Sequence, residues 1–152
     1  MRLIDPYLDL QTYKKVVKKY GGEYSLFETL RLGGIGSPKV DYISGLDAFD
    51  QIHELQELER SVCNFELLKS GLIIRLNKRQ HLAVGIVHLD EIESILLESW
   101  PVQFNGRELR EGRLVVNFKD QMTLTFSVSI HVFAGVGEYF SKKAFLPFFR
   151  LG

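Results

Sequence analysis

Only one cysteine, Cys63, occurs in the 152-residue chain, so no internal disulfide is possible and a reducing interior suits the protein best. Charge bias is missing as well. Nineteen Lys and Arg balance nineteen Asp and Glu, so no global field draws nucleic acid or an anionic membrane, and such binding would need a local patch. No apolar run approaches the roughly 20 residues that span a bilayer. The opening Met1-Arg2-Leu3-Ile4-Asp5-Pro6 puts an acid and a proline where a signal peptide needs an apolar core. These absences predict a cytoplasmic protein with neither nucleic acid nor membrane insertion among its partners.

Chemical motifs are equally scarce. His53, His81, His88 and His131 form no His-x-x-x-His, and there is no Cys-x-x-Cys. His81 and His88 fall at opposite ends of one expected strand, roughly 23 Å apart at the usual rise, so they cannot share a metal. Cys63 follows His53 by ten residues, too far along a helix for direct contact, and reads as a small buried residue. Asp90, Glu91 and Glu93 cluster without the spacing or glycine of an EF-hand and read as a solvated turn. Pairing His81 or His88 with Asp90 or Glu91 for hydrolysis has only their closeness in sequence to recommend it. Gly33-Gly34-Ile35-Gly36 looks superficially like a dinucleotide loop, but a helical pattern precedes it and Ser37-Pro38 follows, so it reads as a linker. The chain is therefore read as a non-enzyme, with no catalytic residue, metal or cofactor assigned.

What is present is a globular composition, 45% apolar and 25% charged. A chain of this size buries roughly 70% of its unfolded surface and needs no staple. Residues 12–20 place Tyr13, Val16, Val17 and Tyr20 at helical spacing, with lysines between them, and Gly21-Gly22 ends the segment. Residues 23–32 restart a helix with Leu26, Phe27 and Leu30 on one side. Together these predict an N-terminal helical annex over 1–36 and a β domain over 37–152. Within the latter, 40–43 reads as a short extended piece. Residues 46–60 read as a helix whose apolar stripe, Phe49, Ile52, Leu55 and Leu58, steps by three and slants, as in a helix crossing a sheet.

From Asn64 the period changes to two. Leu72, Ile74 and Leu76; Leu82, Val84 and Ile86; Leu114, Val116 and Phe118; and Met122, Leu124, Phe126 and Val128 each alternate with their neighbours, and 92–97 forms a further apolar run. Hairpin turns are expected at 69–71, 77–80, 105–106 and 119–121, where Asn105-Gly106 is the strongest signal because both residues tolerate positive φ. Short turns and alternating faces imply an antiparallel barrel or sandwich with one face buried and one wet, so the fold class is α+β. Residues 131–143 favour a C-terminal helix through Val132, Val136 and Phe140, despite Gly135 and Gly137.

The run SGLIIRLNKRQHLAVGIVHLDEIESILLES, residues 70–99, resembles the paired strands of bacterial pleckstrin-homology-like (PH-like) domains, followed by a strand opened by Asp90-Glu91-Ile92. The likeness covers about half the chain and excludes the helical first third. It implies a binding scaffold without intrinsic chemistry. Eukaryotic relatives of such domains often hold inositol phosphates with lysines and arginines near the first hairpin. The comparable cluster here is Lys69, Arg75, Lys78 and Arg79, with Arg75 facing away from Ile74 and Leu76, and the family's phosphate pattern is not reproduced.

Two sets of residues stand out as contact candidates. The ending AFLPFFRLG offers Phe145, Phe148 and Phe149, which would forfeit several kcal/mol if left in water, at ~25 cal/mol per Å². They either pack on their own domain or meet a partner, and Tyr7, Tyr13, Tyr20 and Tyr24 could line the same surface. Trp100 adds an amphipathic anchor at a strand end. The reading that follows is a binding or assembly domain for protein, including a second copy of itself. The alternative is an anion or small-ligand binder using Lys78 and Arg79 at a basic hairpin tip.

Overall fold

The alternating runs become strands wherever one side can be buried. In the computed structural model, which describes residues 1–55 and 59–152, Leu124, Phe126 and Val128 point inward from one strand while Thr123 and Ser127 are exposed. The elements in chain order are β1 (Arg2–Ile4), α1 (Leu10–Lys18), α2 (Leu26–Arg31), β2 (Val40–Ser44), α3 (Asp47–His53) and β3 (Val62–Leu67). There follow β4 (Gly71–Lys78), β5 (His81–His88), β6 (Ile92–Phe104), β7 (Arg107–Phe118), β8 (Thr123–Val128), α4 (Phe133–Phe140) and β9 (Phe149–Leu151).

The strands form one sheet in the order β1-β5-β4-β3-β2-β8-β7-β6-β9. All pairs are antiparallel except β6 with β9. The fold is α+β, mostly antiparallel, and the sheet is open, with β1 and β9 as its edges. The expected strands are there, joined by two short ones, β1 and β9, that the period-two pattern did not mark. Asn105 and Gly106, at φ 50° and 74°, make the tight turn between β6 and β7.

Inward side chains from β2 to β8 meet in one core with Phe49, Val136, Phe140 and Phe145. β3 to β5 and β6 to β8 therefore face the same interior, and the sheet curls around it. Tyr42 spans β2 and α3: its hydroxyl donates to Asp50 at 2.7 Å and accepts the Leu46 N–H at 3.0 Å. Burial and the Asp50 carboxylate both push that phenol's pKa well up.

A second, smaller cluster lies on the other side of the sheet. There Val16 and Val17 of α1, with Tyr20 in the turn that follows it, cover Ile73 and Ile86. β4 is thus buried on both faces across Leu72, Ile73 and Ile74, and the expected wet face is replaced by a helix contact. Burial of these three side chains is worth about 1.5–3 kcal/mol each. Tyr20 also stacks on His88 with ring centroids 4.2 Å apart, so it belongs beneath α1 rather than with the C-terminal phenylalanines.

Several segments depart from the sequence reading. The helix expected over 46–60 is α3, which ends at His53; Phe49 is buried, Ile52 half-buried and Leu55 exposed, while Leu58 lies outside the described residues. α2 forms with Ser25 as its N-cap, accepting the Glu28 N–H at 3.2 Å, yet buries none of its residues. The C-terminal helix forms as α4. A β-carbon on Gly135 would come within 2.9 Å of the Pro38 ring, so this glycine permits the helix to approach the linker closely.

Gly71 opens β4 directly under α1. A β-carbon there would lie 2.8 Å from the Tyr20 β-carbon and 3.0 Å from the Val87 carbonyl oxygen. Gly71→Ala is expected to lower stability by about 1–3 kcal/mol through overpacking, read as an earlier midpoint in urea unfolding.

Candidate functional site

The basic hairpin tip is not the pair of free cations that the sequence predicts. Lys78 is 2% exposed, and its Nζ donates to the His53 carbonyl at 2.5 Å. His53 in turn meets the buried Ser61 hydroxyl through Nδ1 at 2.7 Å. The cause is register: Lys78 continues the inward series Leu72, Ile74 and Leu76, so its stem enters the core side and its ammonium finds a carbonyl. Arg79 does sit in the turn, at φ 56°, but pairs with Glu59. With Lys39, Arg60, Val62, Asn64 and Asn77 it lines a groove of about 560 Å³. Arg60 is already held by both carboxylate oxygens of Asp41, at 2.8 and 3.0 Å. Lys69 and Arg75 are likewise paired, with Glu28 and Glu66.

The C-terminal phenylalanines turn inward. Phe145 is fully buried against Tyr139 and Phe140, with centroids 5.4 and 5.0 Å away. Phe148 and Phe149 are half-buried on the same core. The Phe148 carbonyl accepts the Ile95 N–H at 2.9 Å, and β9 continues that pairing beside β6. The tail therefore covers its own domain, and Phe145 is unavailable as a contact residue. The exposed apolar side chains here are Leu146 and Leu151.

Trp100 belongs to a different feature, one invisible to period analysis. β6 and β7 pair along their full length, from Ile92 opposite Phe118 to Phe104 opposite Arg107. β9 covers β6 only at Ile95, Leu96 and Leu97, and β8 covers β7 only from Gly112 onward. Beyond those points the two strands run on as a two-stranded arm. A β-carbon on Gly112 would fall 2.0 Å from the Glu98 carbonyl oxygen and 3.0 Å from the Phe133 ring, so the base of the arm demands glycine.

Side chains lock the arm rung by rung. Arg113 donates to Glu98 at 2.7 Å, and the Trp100 indole N–H to Glu111 Oε1 at 2.9 Å. Arg110 donates through Nε and Nη2 to the Ser99 hydroxyl, at 3.1 and 2.7 Å. Trp100 and Phe104 are 42% and 41% exposed, and Phe104 sets its ring edge-on to His131. Between the arm and the start of α4, Glu108, Leu109, Arg110, Ile130, Phe133 and Ala134 line a cleft of about 310 Å³. This combination of exposed aromatics, arginines and free strand edge suits contact with another protein.

A local charge patch is also present. Lys14, Lys15, Lys18 and Lys19 are all exposed around α1, within a sector of about 140° at 100° per residue. Their spacing of one and four residues was the available signal.

The remaining titratable candidates have structural partners. Glu91 Oε2 accepts the His88 N–H at 2.7 Å and caps a single 3-10 turn over Leu89–Glu91. Cys63 is fully buried, and burial, with Asp41 adding to it, raises the thiol pKa far above its usual value. Among the described residues no group of three or more His, Cys, Asp or Glu is placed to hold a metal ion. Nor is any helix among them long and apolar enough to cross a membrane. No family model, curated protein or solved structure matches the chain.

The contrast between the two tip cations can be measured. Lys78→Met keeps the apolar stem but removes the bond to His53, and is expected to cost about 1–3 kcal/mol. Arg79→Ala should cost less than about 1 kcal/mol, because Arg79 is itself exposed and its ion pair is screened by water. Chemical denaturation of both variants gives the two values. Cys63 should be silent to a thiol reagent at mildly alkaline pH in the folded protein and react fully once urea unfolds it, as followed by absorbance.

Proposed function

We propose that this chain is a non-enzymatic binding and assembly domain of the cytoplasm, built on a PH-like curled sheet, whose partner is protein and whose contact surface is the β6–β7 arm. The observation that carries the reading is the extension of β6 and β7 past every neighbouring strand. A two-stranded ribbon is marginal by itself in water, so a long, regular one with two exposed aromatic rings is best accounted for by a surface that meets it. A second copy of the chain is the first candidate.

Other features support parts of this reading. Two three-stranded meanders, β3 to β5 and β6 to β8, share one core and are followed by a helix, which favours the PH-like architecture. His53, His88 and Glu91 are each engaged in holding the fold, which favours binding over catalysis. The single buried thiol suits a reducing compartment. The tip alternative is left with one surface cation, Arg79, already paired.

The test is molar mass against concentration by sedimentation velocity, from micromolar to millimolar. The native chain is expected to associate. Trp100→Ala with Phe104→Ala should weaken association by about 2 kcal/mol or more, with the far-UV circular dichroism unchanged. Association that ignores both substitutions would remove the arm as the contact surface.

A further inference from the structure

We infer that the free edge of β7 on the arm pairs with the same edge of a second copy, antiparallel, about a two-fold axis at Leu109. The inference rests on the arm being a protein contact and specifies how that contact is made.

The edge is available. β8 ends at Val128, opposite Gly112, and among the described residues no strand lies on that side of Arg107, Glu108, Leu109, Arg110 and Glu111. The opposite edge of the arm suits pairing less well, because Pro101 has no N–H to donate. Beside the β7 edge, a cleft of about 310 Å³ separates Glu108, Leu109 and Arg110 from Ile130, Phe133 and Ala134.

The sequence of the edge is self-complementary. Reflected through Leu109, Arg107 falls opposite Glu111 and Glu108 opposite Arg110, and each pair occurs twice across the axis. Residues opposite one another in an antiparallel pair hold their β-carbons about 4.5–5.5 Å apart, close enough for these charges to meet. Alternation puts Arg107, Leu109 and Glu111 on one face and Glu108 and Arg110 on the other. Both faces are therefore matched, and Leu109 meets its own copy. Val102 lies across from Leu109 in register, so each arm adds an apolar neighbour to that central contact.

The donor inventory agrees. Trp100 engages only Oε1 of Glu111, which leaves Oε2 to accept from Arg107 of the second copy. Ser99 engages Nε and Nη2 of Arg110, which leaves Nη1 for Glu108 of the second copy.

Charge also selects the register. Sliding the two edges by one residue sets Arg107 against Arg110 in one direction, or Glu108 against Glu111 in the other. Sliding by two sets Glu108 against itself or Arg110 against itself. Each other alignment within two residues thus opposes like charges, which is destabilising, and among these five the alignment centred on Leu109 pairs opposite charges throughout. A free edge would in this way become the middle of one continuous sheet shared by two copies, through isologous pairing.

The experiment compares the full native chain with Glu108→Arg and with Glu108→Arg/Arg110→Glu by sedimentation velocity, with circular dichroism to confirm folding. A dimer is expected for the native chain. The single reversal sets Arg110 against a new cation twice across the axis and should weaken the dimer at least about tenfold. The double reversal restores opposite charges and should return the dissociation constant to within a few-fold of native. A dimer indifferent to the single reversal, or a folded double variant that fails to recover, overturns this pairing while leaving the arm as a contact surface. A chain that stays monomeric at every concentration overturns both.

Discussion

Burial of β4 on both of its faces is the constraint on which the rest of the structure depends. Leu72, Ile74 and Leu76 face the principal core, and Ile73 faces α1. An eight-residue strand that is apolar on two sides cannot lie at a surface, so it recruits a helix to its outer side and neighbours on both edges. The N-terminal segment supplies the helix, and β1 then adds to β5 alongside it. The inward register also carries Lys78 into the structure, where its ammonium is bound by a backbone carbonyl. A cation at a turn by sequence is thus a buried strand end by geometry.

The other half of the sheet has different limits. β6 and β7 outrun β8 and β9, and what they expose is edge and aromatic surface, beside the cleft at the start of α4. The polar contacts along the arm, Glu98 with Arg113, Trp100 with Glu111 and Ser99 with Arg110, hold its rungs in place. They tie the two strands together across a ribbon that would be marginal by itself in water. The apolar C-terminal segment contributes differently: it closes the core and pairs with β6 at the base of the arm, so its phenylalanines act on the fold.

Much of this was legible from the residues. The strands β2 to β8, the tight turn at Asn105-Gly106, α1 and the buried state of Cys63 followed from period, turn chemistry and composition, while the segment that became α4 fitted a helix only slightly better than a strand. Arg75 was placed correctly by alternation, and the structure pairs it with Glu66 outside the core. The same rule applied one step further would have sent Lys78 inward. Treating 77–80 as turn obscured that step, because β4 extends to Lys78 itself. The apolar side of α2 misled in the opposite sense: Leu26, Phe27 and Leu30 have helical spacing, yet all three remain exposed. Period reports the face that a helix offers and is silent on whether anything covers it.

The sequence by itself determined the local conformations, the mixed α and antiparallel β class, and which side chains share a face of each strand. It also determined the self-complementary charge order of Arg107 to Glu111. Tertiary structure alone decided which faces are covered twice, where the neighbours of β6 and β7 stop, and whether Phe145 and Lys78 meet solvent. The reason is physical. Conformation and alternation arise within a few residues, from backbone sterics and side-chain period. Coverage and free edges depend on how far separate strands happen to run beside one another, a property of the assembled sheet that no single segment encodes.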